Sequence, residues 1–289
     1  MALTALECLA TTFFSRSLRP TQSVRRGSAI VFLLLASTPL FCQAQAQSKA
    51  HQRDPLLLDV LTRAVNVAGG SEALASVRDL TESGEITFHW AEEVKGSVII
   101  HALGTNRFRM EADLPEGRRT WVVKAGGGSL REPEGKVRVL SYDNAINLEN
   151  LTFPLAYFGA ALTDSGTHIS LVGIEDRDGR SIYRLRVKGQ LGLNGIKAGP
   201  DLPVIKDLLV DALTFNLVSV EDRPFQTYKP GGEVSDKPSR VIEFEDFRKI
   251  DGVLVPFSIT TKLMGQKTLS IHLSRVKFNS DLGDQEFEN

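Results

Sequence analysis

The last fifty residues, Arg240 to Asn289, alternate apolar and polar side chains more consistently than any other stretch, and that pattern restricts the chain to a sheet. Val241, Phe244 and Phe247 are interleaved with Glu243, Glu245, Asp246 and Arg248. The turn Lys249-Ile250-Asp251-Gly252 leads into a second run, Val253 to Lys262, and Met264-Gly265-Gln266 leads into a third, Thr268 to Phe278. Successive side chains of a strand point to opposite faces. Three such runs joined by short Gly-containing turns predict an antiparallel meander.

The same signal recurs upstream. Thr81 to Trp90 places Ile86, Phe88 and Trp90 on one face and Glu85, Thr87 and His89 on the other. Val94 to Leu103, Asn106 to Leu114 and Arg119 to Lys124 follow the same rule, and Gly126-Gly127-Gly128-Ser129 opens a hairpin towards Lys136–Leu140. Strands resume at His168–Glu175 and Ser181–Lys188, with Asp178-Gly179 as a hairpin turn, and again at Lys206–Val210 and Phe215–Glu221. Spacings of about 8 to 15 residues exclude a βαβ protein. Helical signals are few. Asp54-Pro55 caps a helix whose Leu57, Leu58, Leu61, Val65 and Ala68 recur at helical spacing up to Gly69-Gly70. Ser71 caps a short second helix to Val77, and Asn147–Leu162 carries Leu148, Leu151, Leu155, Phe158 and Leu162 at helical spacing. Residues 191–203 and 223–238, rich in Gly and Pro, are loops. The expectation is a mainly β (α+β) protein: one domain over 47–289, with one large curved antiparallel sheet of roughly ten strands and about three helices.

Residues 1–46 stand apart. Arg25-Arg26 precede an apolar run from Ala29 to Ala36, and Ala44-Gln45-Ala46 is a small-x-small site. These features describe a cleaved secretory signal, with export to the periplasm or the exterior. The apolar core is too short for the roughly 20 residues of a spanning helix. The basic region is unusually long, which leaves a translation start downstream of Met1 as an alternative. Four arginines stand here against Glu7 alone, a net +3, which leaves −4 for the remainder of a chain whose total is −1. A mildly acidic body without Lys/Arg runs argues against nucleic acid as a partner. Both cysteines, Cys8 and Cys42, lie in the leader, so the mature chain has no disulfide framework, thiol nucleophile or thiolate metal site. Lipidation at Cys42 is the alternative anchor, and the large Phe41 before it fits that processing poorly.

No catalytic motif is present. The five histidines (His51, His89, His101, His168 and His272) are scattered without metal-ligand spacing, and no Gly-x-Ser-x-Gly elbow exists. Gly126-Gly127-Gly128-Ser129 lacks the Lys and the following helix of a phosphate cradle and reads as a turn. The sequence therefore predicts neither enzyme activity nor a cofactor or metal. What remains is one-sidedness: Ile86, Phe88 and Trp90, Val98 and Ile100, Phe108 and Met110, and Trp121 and Val123 present large apolar groups on one face. Either an ordinary core or a concave apolar ligand surface explains them.

The chain resembles the periplasmic lipoprotein-carrier superfamily (LolA/LolB-like), and within it the outer-membrane lipoprotein-sorting group. The resemblance rests on Ala68-Gly69-Gly70-Ser71-Glu72-Ala73-Leu74 with Leu80-Thr81-Glu82-Ser83-Gly84, on Asn106–Glu111, and on Leu209–Val218. It rests also on Phe244–Pro256 and the ending Val276-Lys277-Phe278-Asn279 with Phe287. It implies an unclosed half-barrel with helices as a lid over the concave face, and a non-enzymatic, monomeric carrier of lipid or lipoprotein acyl chains. Ile86, Phe88, Trp90, Val98, Ile100, Phe108, Met110 and Trp121 would line the cavity, and Leu151, Leu155 and Phe158 would cover it. An early-strand arginine holds the lid in the carriers; Arg107 and Arg109 are the candidates, an outward-facing role being the alternative. Two other readings stay open: an envelope interaction or sensing module with a protein partner and a dry core, and a secreted hydrolase.

Overall fold

The computed structural model divides into two units, 1–50 and 51–289. It describes residues 54–89, 92–104, 107–124, 127–140, 142–153, 168–188, 205–222 and 240–288. All belong to the second unit. The expected signal segment 1–46, most of the expected third helix, and the loops 191–203 and 223–238 lie outside them.

Two helices come first. α1 (Pro55–Ala68) starts where Asp54 accepts a hydrogen bond from the Leu56 amide at 2.9 Å, with Pro55 in the first turn. It buries the stripe Leu57, Val60, Ala64 and Ala68, spaced three and four residues apart. Gly69 ends it at φ 133, and a Cβ there would lie 2.8 Å from the Gly252 carbonyl oxygen. α2 (Gly70–Ser76) follows directly, so its N-cap is Gly69, and Ser71 stands inside the helix.

The strands are β1 (Asp79–His89), β2 (Glu93–Leu103), β3 (Arg107–Leu114), β4 (Gly117–Lys124), β5 (Gly127–Arg131) and β6 (Val137–Leu140). After α3 (Tyr142–Glu149) come β7 (His168–Arg177), β8 (Arg180–Lys188), β9 (Ile205–Asp211), β10 (Leu217–Asp222), β11 (Arg240–Ile250), β12 (Val253–Leu263) and β13 (Gln266–Phe278). A 3-10 turn, Asp284–Phe287, closes the described chain. The thirteen strands form one antiparallel sheet in the order β6-β5-β4-β3-β2-β1-β13-β12-β11-β10-β9-β8-β7. Two meanders are thus sewn together by β1 against β13, and β6 and β7 are its edges, so the sheet is not closed into a barrel. Thirteen strands exceed the roughly ten expected, and α3 starts earlier than expected, at Tyr142, and ends at Glu149; residues 154–162 of the expected helix 147–162 lie outside the described residues.

The turns are those their residues demand. Asp178-Gly179, Asp251-Gly252 and Met264-Gly265 all carry positive φ at both positions, the requirement of a two-residue type I′ hairpin. Between Ser83 and Gly84 the β1–β13 register slips by a bulge, and a Cβ at Gly84 would lie 2.1 Å from the His272 carbonyl oxygen. Only glycine fits that approach.

One face of the sheet collects the apolar set. Ile86 and Phe88, Val98 and Ile100, Phe108 and Met110, Ile259 and Ile271 form a single buried cluster with α1 residues Leu57 and Val60 and with Ala145, Leu151 and Phe153. The helices among the described residues therefore pack on this inner face, α1 against β7 and β12, α2 against β12, and α3 against β3, β4 and β5. The opposite face of β7–β10 carries ionic pairs instead. Arg184 reaches Glu175, Asp207 and Glu221 at 2.7, 2.8 and 2.8 Å. Arg186 holds Asp207 at 2.8 Å and Arg177 holds Glu221 at 2.7 Å. Burial alone would lower the Arg184 pKa, but its hydrogen bonds to the three carboxylates outweigh that and hold it above its ordinary value.

Candidate functional site

A cavity of about 470 Å³ opens on the inner face. Phe88 of β1, Trp121 of β4, Leu130 of β5 and Leu269 of β13 supply apolar wall, and Leu148 and Leu151, in and just after α3, supply more. Polar lining comes from Arg119, Arg138 and Arg240, from Asn144 and Asn147, and from Thr261 and Thr268, whose hydroxyls lie 2.8 Å apart.

The cavity's membership establishes the curvature. Arg138 on β6 and Arg240 on β11 are eight strand spacings apart in the sheet order. At about 4.8 Å per spacing a flat sheet would separate them by roughly 38 Å. They line one cavity, so the sheet curls around it. Likewise the Phe88 and Trp121 rings stack with centroids 5.8 Å apart across three strand spacings. The segment after β6 bridges the concavity. Ala145 is fully buried against β5, where a Cβ on Gly128 would come within 3.0 Å of it, and Phe153 meets Phe244 on β11.

Of the residues expected to bind ligand, Phe88, Trp121 and Leu151 line this cavity. Ile86, Val98, Ile100, Phe108 and Met110 belong to the same buried cluster but are not among its lining residues. Trp90, Leu155 and Phe158 lie outside the described residues. Leu130, Leu269 and the threonines escaped the sequence reading because strand register, and the pairing of β1 with β13, are not legible in a single strand's alternation. Cross-strand pairing of Trp121 with Leu130, and of Phe88 with Leu269, brings them in.

Arg107 and Arg109 alternate with Phe108 and Met110 and so project from the outer face. Arg107 Nε lies 2.6 Å from Asp284, and Arg109 donates to Glu111 and to the carbonyl oxygens of Glu286 and Glu288. They clamp the C-terminal 3-10 turn onto the outside of the sheet. The outward-facing alternative is the one their geometry matches. His101 stands beside them, its pKa lowered chiefly by burial against the opposing pull of Glu286 and Glu111.

Glu82 is the anomaly of the inner face. It is 1% exposed and neither carboxylate oxygen has a hydrogen-bond partner. Burial raises its pKa from 4.5 to about 8, so at neutral pH it is an uncharged acid among Leu80, Ile100 and Val276.

A larger cleft, about 750 Å³, lies at the opposite end of the strands between the β7–β8 and β9–β10 turns. Its lining is chiefly turn residues, and Asp211 there is already engaged by the Leu213 and Thr214 amides and the Thr214 hydroxyl. That carboxylate caps its own turn. Among the described residues no group of three or more His, Cys, Asp or Glu could hold a metal ion, and no helix is long and apolar enough to cross a membrane.

No protein-family model and no curated protein matches the chain. Solved structures do. A LolA superfamily protein from Nitrosomonas europaea superposes with a TM-score of 0.53 at 16% identity, covering 80% of this chain and 97% of its own. A DUF1329 family protein from Desulfovibrio piger gives 0.49 at 13% identity, covering 80% and 96%. A domain assigned as an outer membrane lipoprotein-sorting protein from Vibrio parahaemolyticus gives 0.47 at 11%, covering 80% and 95%. The first comparison establishes that this chain has the fold of a LolA superfamily protein, and at such identities fold is all that it carries.

Proposed function

We propose that this chain is an exported, non-enzymatic binding protein of the cell envelope that holds an acyl chain, from a lipid or a lipidated protein, in the inner-face cavity and moves it across the periplasm. The observation that carries this reading is the apolar wall of the cavity. Phe88, Trp121, Leu130, Leu148, Leu151 and Leu269 converge on it from both wings of an unclosed sheet. Its volume falls within the few hundred to a thousand Å³ of small-molecule sites. Each methylene buried there contributes about 0.8 kcal/mol, so an acyl chain binds without any catalytic motif. The bridging segment 142–153 is the element that a guest must pass or displace, which makes it the lid. The leader read at 1–46 supplies the route to the envelope.

The test is native mass spectrometry of the exported protein purified without detergent. An extractable bound mass identified as lipid supports the reading. A clean apo mass that stays unchanged after incubation with phospholipids and lipopeptides sinks it and favours a partner-docking module with a dry core.

A further inference from the structure

Three arginines line the cavity and no carboxylate does among the described residues. Arg119 lies on β4 and Arg138 on β6, one wing of the sheet, and Arg240 opens β11 on the other. All three sit towards the end of the sheet that holds the β1–β2 hairpin, away from the end where α1 and α2 meet the β11–β12 turn. The acids that pair with Arg119 and Arg138 are not among the lining residues. Glu132 is shared, 3.3 Å from Arg119 Nε and hydrogen-bonded by the Arg138 guanidinium, and Glu116 lies 3.3 Å from Arg119. Arg138 has a side chain 57% exposed, on an edge strand, so it can turn to an incoming group at little cost. Asn144 and Asn147, from α3, and the Thr261–Thr268 pair add neutral polar groups to the same lining.

We infer that the cavity selects amphiphiles with an anionic head, a carboxylate or a phosphate, held by Arg138 with Arg119 and Arg240 while the chain lies against Phe88, Trp121 and Leu269. This rests on the acyl-chain reading above and adds to it the charge of the ligand and its direction of entry. Guanidinium groups bind carboxylate and phosphate oxygens bidentately, with charge-assisted hydrogen bonds stronger than neutral ones. A cationic head would meet guanidinium groups and, among the described lining residues, no carboxylate.

The experiment is competition against N-phenyl-1-naphthylamine, a neutral apolar fluorophore, bound to the full exported protein. Competitors share a twelve-carbon chain, below micellar concentration: laurate, dodecyl phosphate, dodecanol and dodecyltrimethylammonium. Inorganic phosphate alone forms the fifth arm. Laurate and dodecyl phosphate are expected to compete about tenfold or more better than dodecanol and dodecyltrimethylammonium. That preference should shrink as salt rises. Arg138→Gln should cut the preference to about threefold or less, and Arg138→Lys, which keeps the charge but not the bidentate fork, should restore only part of it, with both variants checked for an unchanged melting temperature. Equal competition by all four amphiphiles overturns this inference and leaves the acyl cavity standing. Inorganic phosphate competing as well as dodecyl phosphate also overturns it, because the site would then be a bare anion site. Failure of the fluorophore and of every amphiphile to bind overturns the acyl-chain reading itself.

Discussion

Phe153 lies against Phe244 with ring centroids 5.4 Å apart and planes tilted by 56°, and it meets Phe247 edge-on at 6.1 Å. This is the point at which the segment leaving β6 reaches the far wing of the sheet. α3 is anchored at one end on β5 and held at the other by this aromatic contact. Phe153→Ala removes the far anchor and is expected to cost about 3 kcal/mol. Hydrogen exchange should accelerate in 142–153 more than in α1. Equal acceleration in both would mean that Phe153 is plain core and that the segment is no lid.

Trp121 is one of two tryptophans in the chain, the other being Trp90, and it stacks on Phe88 in the cavity wall. A Trp90→Phe variant therefore reports through Trp121 alone. Laurate should shift its emission to shorter wavelength, since the guest replaces water at the ring. Trp121→Ala should weaken laurate binding by about tenfold or more through lost apolar contact. Emission that does not respond to a ligand shown to bind would place the binding site elsewhere.

Glu82 supplies a pH dependence with a definite sign. Its carboxyl carries a pKa of about 8 in the folded chain against 4.5 as a reference value, so between these the folded state binds the extra proton. Stability attributable to this group falls as pH rises from about 4.5 to 8 and levels off above. Glu82→Gln removes the ionisable group and keeps the shape. The stability of this variant relative to the parent should rise by on the order of 3 kcal/mol or more between pH 5 and pH 8, read by urea unfolding. A difference that does not change with pH would show that Glu82 ionises freely in the fold.

Arg184 sits between Glu175, Asp207 and Glu221, and Asp207 and Glu221 are almost wholly buried. Arg184→Met leaves those carboxylates short of a counter-charge and should cost about 3 kcal/mol. Asp207→Asn in the same background should recover part of the loss, which a purely steric role for Arg184 would not allow. Glu221 is affected in the same way: burial pushes its pKa up, and its bonds to Arg177 and Arg184 outweigh that and hold it low.

Where the rules are local, the chain announces its own structure. Asp54-Pro55 caps a helix wherever it is placed, Asp251-Gly252 and Met264-Gly265 tolerate the positive φ of a tight hairpin, and period-two alternation marks each strand and its buried side. That is why the mainly β class, most strand positions and the inner-face set Ile86, Phe88, Val98, Ile100, Phe108, Met110 and Trp121 were legible in the sequence. α3 begins at Tyr142, before the expected Asn147, and residues 150–153 leave it to bury Leu151 and Phe153, because apolar spacing alone does not mark where a helix starts or stops.

What the residues alone left open was which of those apolar groups face a cavity and which are filled core. That choice depends on the curl of thirteen strands, a sum of small twists and bulges such as the one at Gly84, which brings Arg138 and Arg240 to one cavity from eight strand spacings apart. The outward projection of Arg107 and Arg109 followed from alternation, but their hold on the C-terminal turn needed the fold, since their partners lie about 180 residues away in the chain. Sequence determined the sheet, its turns and its two faces, because those depend on backbone preferences within a few residues. Tertiary structure alone decided the cavity, its ring of arginines and the stranded Glu82, because each depends on which distant strands meet across the curve.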